Sequence, residues 1–349
     1  MHMKRFAAVS LLVFALAPRA FPQAWETVVP GGATVCSDGS PYRFFVHRGD
    51  ASKLLIEFEG GGACWSGSTC EADVYNRRII SDPETARQTG QLQGIYDRTN
   101  AENPLKDYTH VYIPYCTGDL HWGNSTASYT GLAGAPYAIQ HKGAVNATTA
   151  LNWAGENVAA PSQVVVAGCS AGGYGAALWS AKIARAYPGA RMVQLADSAA
   201  GVVPEGFFTT TLASWNVADA WPSFIPDLAL DRVDPSTLTL PKLYTSVASF
   251  FPAASFSQFN TRTDTVQIFF YALSKGSITP NDAADWSAKM VSNVEQISAE
   301  SPNFRAFLAA GTEHCVINRP SFFTETVGGR KFSDWVRSLL EGGDPGQVR

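Results

Sequence analysis

The chain has 349 residues, 26 Lys and Arg against 30 Asp and Glu, a formal net charge of −4 and 46% hydrophobic residues. Charge this evenly spread, with no basic run, excludes the electrostatic footprint of a nucleic-acid or anionic-surface binder. The composition is that of a globular chain, and its length suits one α/β domain.

Lys4 and Arg5 precede an apolar run, Phe6 to Ala17, that breaks up at Pro18, Arg19 and Pro22. This reads as a secretory signal peptide over residues 1–24, cleaved between 17 and 24. The run is too short for the roughly 20 apolar residues of a membrane span, and nothing later approaches that length. Residues 25–349 are expected to form a single catalytic domain, secreted or periplasmic, monomeric and not inserted in a membrane. Six cysteines in an exported chain favour disulfides over metal ligation. Cys64 with Cys70, around a short loop, is the easiest pairing. Cys169, in an apolar strand, reads either as a disulfide partner or as a buried free thiol.

Short β-branched or aromatic runs mark strands at Tyr42 to Val46, Leu54 to Phe58, His110 to Tyr115, Gln163 to Ala167, Arg191 to Leu195 and Phe304 to Ala309. Apolar residues at helical spacing precede the fourth run (Ala144, Leu151, Ala154, Val158) and follow it (Ala177, Leu178, Ala181, Ala184). Strands alternating with helices predict an α/β fold, a mainly parallel sheet with helices on both faces. The stretch from Val202 to Pro252, rich in Pro, Phe and Trp, reads as an insertion over the sheet; its aromatics would line a pocket or form a satellite core. Sequons occur at Asn124 and Asn146, the second inside a predicted helix.

Gly168-Cys169-Ser170-Ala171-Gly172 is a GxSxG motif directly between a predicted strand and a predicted helix. A serine hydroxyl becomes a nucleophile when held on such a sharp turn, with the helix N-terminus facing the developing oxyanion. This context predicts an α/β-hydrolase-like fold with Ser170 as nucleophile. Gly60-Gly61-Gly62, after the earlier strand ending at Phe58, suits the other half of an oxyanion hole. Gly61 or Gly62 and Ala171 are the expected donors. A phosphate loop is the rival reading, but its Lys-Ser/Thr ending is missing. His314 is the sole histidine after Ser170 and follows a strand, which makes it the expected base. The acid is open among Asp197, Asp227, Asp231, Asp234, Asp264, Asp282 and Asp285. Asp197 and Asp264 stand out, the first at a strand end, where it would reach the site or hold a loop.

Together these motifs resemble the pectin acetylesterase and Notum family of extracellular carboxylesterases over most of the chain. The resemblance rests on Glu59-Gly60-Gly61-Gly62-Ala63-Cys64 with Cys70, Tyr115-Cys116-Thr117-Gly118-Asp119, Gly168 to Gly173, Asp197-Ser198, Asp264 with Gln267, and His314-Cys315. It implies that Asp264, not Asp197, is the acid. The chain departs at Ala63, where plant pectin acetylesterases usually carry Trp, and after Cys116. The implied activity is carboxylic-ester hydrolysis by a Ser-His-Asp triad without cofactor or metal. The implied substrate is an O-acetyl ester on a polysaccharide such as pectin. The alternatives are fatty-acyl or polyester substrates, and a non-catalytic binding protein on the same fold. Asp119 and His121 read as substrate-binding or as a local ion pair, and Trp65 and Trp122 as a wall beside the site or as packing.

Overall fold

The structure is a computed structural model and describes residues 24–349. The expected leader, residues 1–24, lies outside the described residues except for its last position. Eight strands form one sheet: β1 (Glu26–Val28), β2 (Phe44–His47), β3 (Asp50–Phe58), β4 (Tyr108–Ile113), β5 (Gln163–Cys169), β6 (Arg191–Asp197), β7 (Phe256–Thr261) and β8 (Phe304–Ala309). Their order in space is β1-β2-β4-β3-β5-β6-β7-β8. β1 and β4 pair antiparallel with β2, and every later neighbour is parallel.

Parallel neighbours require crossovers, and helices supply them. These are α1 (Gly143–Asn157), α2 (Ala171–Ala186), α3 (Phe207–Trp215), α4 (Leu240–Phe250), α5 (Thr265–Lys275) and α6 (Asp282–Glu300), with α7 (Phe332–Leu340) after β8. In the central strand β5, Val164 and Val166 point to one face, where they join Ala150 of α1, Leu178 of α2, Val247 of α4 and Met290 of α6. Val165 and Ala167 point to the other, where they meet Phe332, Trp335 and Leu339 of α7. Burial on both faces explains why β5 reads as a continuous apolar run. Full burial of each such valine contributes about 1.5–3 kcal/mol.

The six predicted strands are all present within a few residues. β1 and β7 were not expected, nor was the hairpin of Ser125–Thr130 with Pro136–His141. β7 escapes because Ser257, Gln258, Asn260 and Thr261 are fully buried although polar. Their partners are internal: the Ser257 hydroxyl donates to Gln194 O at 2.6 Å, and Asn260 Oδ1 accepts from Gln267 Nε2 at 3.1 Å. The Val202 to Pro252 segment carries α3 and α4 and serves both expected roles. Trp221 and Leu228 are core, while Phe207 and Phe208 also reach a cavity.

Disulfides join Cys36 to Cys116, Cys64 to Cys70 and Cys169 to Cys315. The buried-thiol reading of Cys169 is therefore corrected: the apolar strand ends at the turn, and Cys315 reaches its last residue. Asn146 is 2% exposed and donates to Val35 O at 3.0 Å, so its sequon is inaccessible.

The turn after β5 is packed without spare room. A Cβ on Gly172 would lie 1.9 Å from Phe58 O, a backbone atom of β3. Gly172→Ala should therefore destabilise the fold by about 1–3 kcal/mol or more through forced backbone movement. Urea unfolding of the purified variant checks this, and unchanged stability would contradict it.

Candidate active site

Ser170 occupies the single residue between β5 and α2, with φ 57° and ψ −124°. A non-glycine residue in this region is strained by about 1–3 kcal/mol and is held by its surroundings. Here the Ser170 N–H donates to Asp197 O of β6 at 2.8 Å. The following N–H, of Ala171, opens the helix and has no intrahelical partner.

Asp264 and His314 come together from the ends of neighbouring strands. Asp264 follows β7 as the N-cap of α5, where Oδ1 accepts from Val266 N at 3.0 Å and Gln267 N at 2.9 Å. Gln267 Nε2 donates to Oδ2 at 3.0 Å. The remaining approach to this fully buried carboxyl is taken by His314 Nδ1, 2.8 Å from Oδ2 and 3.0 Å from Oδ1. Asp197 is at the end of β6 but turns elsewhere. Its Oδ2 accepts from Val316 N at 2.6 Å and Ile317 N at 2.8 Å, so it holds the loop just beyond His314. Ser198 extends the clamp: its hydroxyl donates to Asp197 Oδ1 at 3.0 Å and accepts from Cys315 N at 3.0 Å.

Gly61 and Gly62 have φ of 155° and 79°. A Cβ on Gly62 would meet Val74 O at 2.0 Å, so only glycine fits there. Among the described residues, neither glycine N–H donates to a backbone acceptor, and both residues border the space around Ser170. Glu59, just before them, accepts from Tyr115 N at 2.8 Å, and burial raises its carboxyl to about 7.

The expected substrate contacts divide. Trp65 lines the cavity beside Ser170 and packs edge-on against Phe207 at 5.1 Å. Asp119, His121 and Trp122 do not reach it, which corrects their reading as substrate-binding residues. Asp119 is fully buried, with Thr117, His121 N and Gly143 N as donors, and burial raises it to about 6. His121 Nε2 lies 2.8 Å from Glu59 O, and burial lowers the ring to about 4. Trp122 Nε1 donates to Tyr174 O at 3.1 Å. These three residues brace the floor of the site.

Ser170 and His314 lie between two unlike spaces. On one side is a narrow cavity walled by Trp65, Val202, Phe207, Phe208, Phe270 and Trp286. On the other is a polar cleft with Glu59, Gln91, Asn318 and Arg319 on its walls. The missed contributors are Gln267 as the brace of Asp264, and Cys169 with Cys315. The cysteines carried a readable signal, since one directly precedes Ser170 and the other directly follows His314.

Burial lifts the Asp197 carboxyl from its ordinary 3.8 to about 6. An acid with a raised folded-state pKa contributes fully below its unfolded value, and the contribution fades as pH rises through the folded one. Between pH 3.8 and 6 the stability gap should therefore move in favour of Asp197→Asn over wild type, by up to about 3 kcal/mol. Urea titrations across that range check it, and a pH-independent gap would contradict it.

A family model described as pectinacetylesterase matches residues 26–261, which include Gly61, Gly62 and Ser170 and stop short of Asp264 and His314. The palmitoleoyl-protein carboxylesterase NOTUM of Schmidtea mediterranea is 34% identical over 101 residues, 28% of this chain and 19% of that protein. The inactive palmitoleoyl-protein carboxylesterase notum1b of Danio rerio is 28% identical over 121 residues, 34% of this chain and 81% of that one. The chain thus spans about a fifth of the length of the first curated relatives it matches. The solved structure of the Wnt deacylase Notum from Drosophila aligns with a TM-score of 0.68 at 15% identity, covering 94% of this chain and 97% of that one. That likeness is one of fold, the α/β-hydrolase arrangement expected from the sequence. With the family model spanning more than half of its residues, the chain belongs to the pectinacetylesterase family.

Proposed function

We propose that the chain is an extracytoplasmic serine carboxylic-ester hydrolase in which Ser170, His314 and Asp264 form the triad. The observation that carries this is the buried Asp264 carboxyl against His314 Nδ1 at 2.8 Å, on a ring that shares one cavity with the strained Ser170 turn. Asp264 accepts a hydrogen bond from Nδ1–H, which keeps that proton on the ring and leaves Nε2 to take the Ser170 proton during attack on the ester carbonyl. The tetrahedral oxyanion is received by the N–H groups of Gly61 or Gly62 and Ala171. The imidazolium then protonates the leaving alcohol, and water repeats the cycle on the acyl-enzyme. Three disulfides support an oxidising compartment.

The polar cleft beside Ser170 suits a hydroxyl-rich alcohol. With the family membership, it supports release of O-acetyl groups from a polysaccharide such as pectin. A second reading, a longer acyl chain, is favoured by the aromatic walls of the cavity on the opposite side.

Ser170→Ala should lower p-nitrophenyl acetate turnover to near background with an unchanged circular dichroism spectrum, and retained turnover would sink the triad. Asp264→Asn should reduce kcat by about 10²–10⁴-fold by permitting the wrong histidine tautomer. Acetate release from acetylated pectin, beside p-nitrophenyl esters of increasing chain length, separates the two substrate readings. The acetyl reading expects kcat/KM to fall beyond short acyl groups, and a steady rise with chain length would replace it by the second.

A further inference from the structure

His314 arrives on an open loop. Gly311 and Thr312 before it are exposed, and a Cβ on Gly311 would touch nothing within 4 Å. Its Nδ1 end is held by Asp264, and the Glu313 carbonyl accepts from the Thr261 hydroxyl at 2.8 Å. Just beyond His314, Cys315 N donates to the Ser198 hydroxyl and Val316 N and Ile317 N donate to Asp197 Oδ2, which hold the loop to the end of β6; none of these bonds runs directly from the histidine loop to the strand that carries Ser170.

The Cys169–Cys315 disulfide spans that gap. Cys169 is the last residue of β5 and directly precedes Ser170, and Cys315 directly follows His314. The two sulfurs and a ring nitrogen of His314 lie within 4.8 Å of one another, and both cysteines border the polar cleft. Ser170 and Cys315 both take left-handed backbone, with φ of 57° and 67°. The bridge therefore links two sharp turns that carry the two reacting side chains. The other disulfides are fully buried, and neither lies beside His314.

We propose that the Cys169–Cys315 disulfide is a positioning element of the reaction: it sets the His314 imidazole at its working distance from Ser170. This rests on the triad reading above. A displacement of about 1 Å in such a pair costs on the order of 10²-fold in rate, so a covalent tie between their neighbours acts on kcat and not only on stability.

The test compares C169A/C315A with C36A/C116A, which removes a staple away from the triad. Both should lower the unfolding temperature. Only C169A/C315A should also lower kcat for p-nitrophenyl acetate, by about tenfold or more with KM held within about twofold. It should also move the acid limb of the kcat/KM profile as the imidazole loses its fixed setting. A folded C169A/C315A with wild-type kcat and pH profile would overturn the proposal, while activity in Ser170→Ala would overturn the triad reading instead. Should C169A/C315A fail to fold, wild-type activity is followed during phosphine reduction. Alkylation of quenched samples and mass spectrometry then report which bridge has opened. Activity falling in step with opening of Cys169–Cys315 supports the proposal, and activity that outlasts it is a refutation.

Discussion

One buried residue, Asp197, stands between the Ser170 turn and the His314 loop and bonds to both. Its main-chain oxygen accepts from Ser170 N, and its side chain accepts from Val316 N and Ile317 N. Taking an acid out of water costs several kcal/mol unless donors meet it, and here two N–H groups and the Ser198 hydroxyl do so. Asp197 is also the register partner of Cys169 in the sheet. The serine turn is thereby anchored to the end of β6 through the main chain of Asp197, and the histidine loop through its side chain. An acid at this point looks from sequence like a candidate triad member; its side chain instead holds the loop that carries His314.

Ser170 divides the molecule chemically. The proposed triad comes from strand ends and the turns and loops after them, while much of the aromatic wall comes from α3, α5 and the segments beside them. On the proposed reading, selectivity for the acyl group can therefore change through the wall without disturbing the strand ends that carry the triad. This is the usual division between a rigid scaffold and the segments it displays. Trp65 joins the two parts, since it follows the glycine-rich loop and packs on Phe207 of α3.

What the sequence revealed follows from where burial and polarity agree. β5 and α2 were legible because an apolar run, a glycine turn and a helical repeat succeed one another without interruption, so Ser170 could be placed in its turn. β7 was not, since four of its six buried positions are Ser, Gln, Asn and Thr, whose polarity is met by partners that the sequence does not announce. Losing that strand removed the physical reason to prefer Asp264, which stands three residues beyond its end. The choice then fell to family resemblance. Asp119, His121 and Trp122 misled for the opposite reason: residue types common in sites are here used as internal braces, and only burial distinguishes the two uses.

Asp264 shows why such braces accumulate around one pair. Its two oxygens face Val266 N, Gln267 N, Gln267 Nε2 and His314 Nδ1, enough donors to occupy the available lone pairs. Three of the four come from the first turn of α5, so the carboxyl cannot rotate without uncapping the helix. Gln267 is fixed in turn, with its amide oxygen accepting from Ala200 N at 2.9 Å and its nitrogen also bonding Asn260 of β7. An imidazole oriented by this acid inherits the rigidity of a strand end, a helix start and the segment after β6. Asn260, one of the polar residues that hid β7 from a reading of the sequence, thus helps hold the acid still through Gln267, and its burial is the cost of that precision.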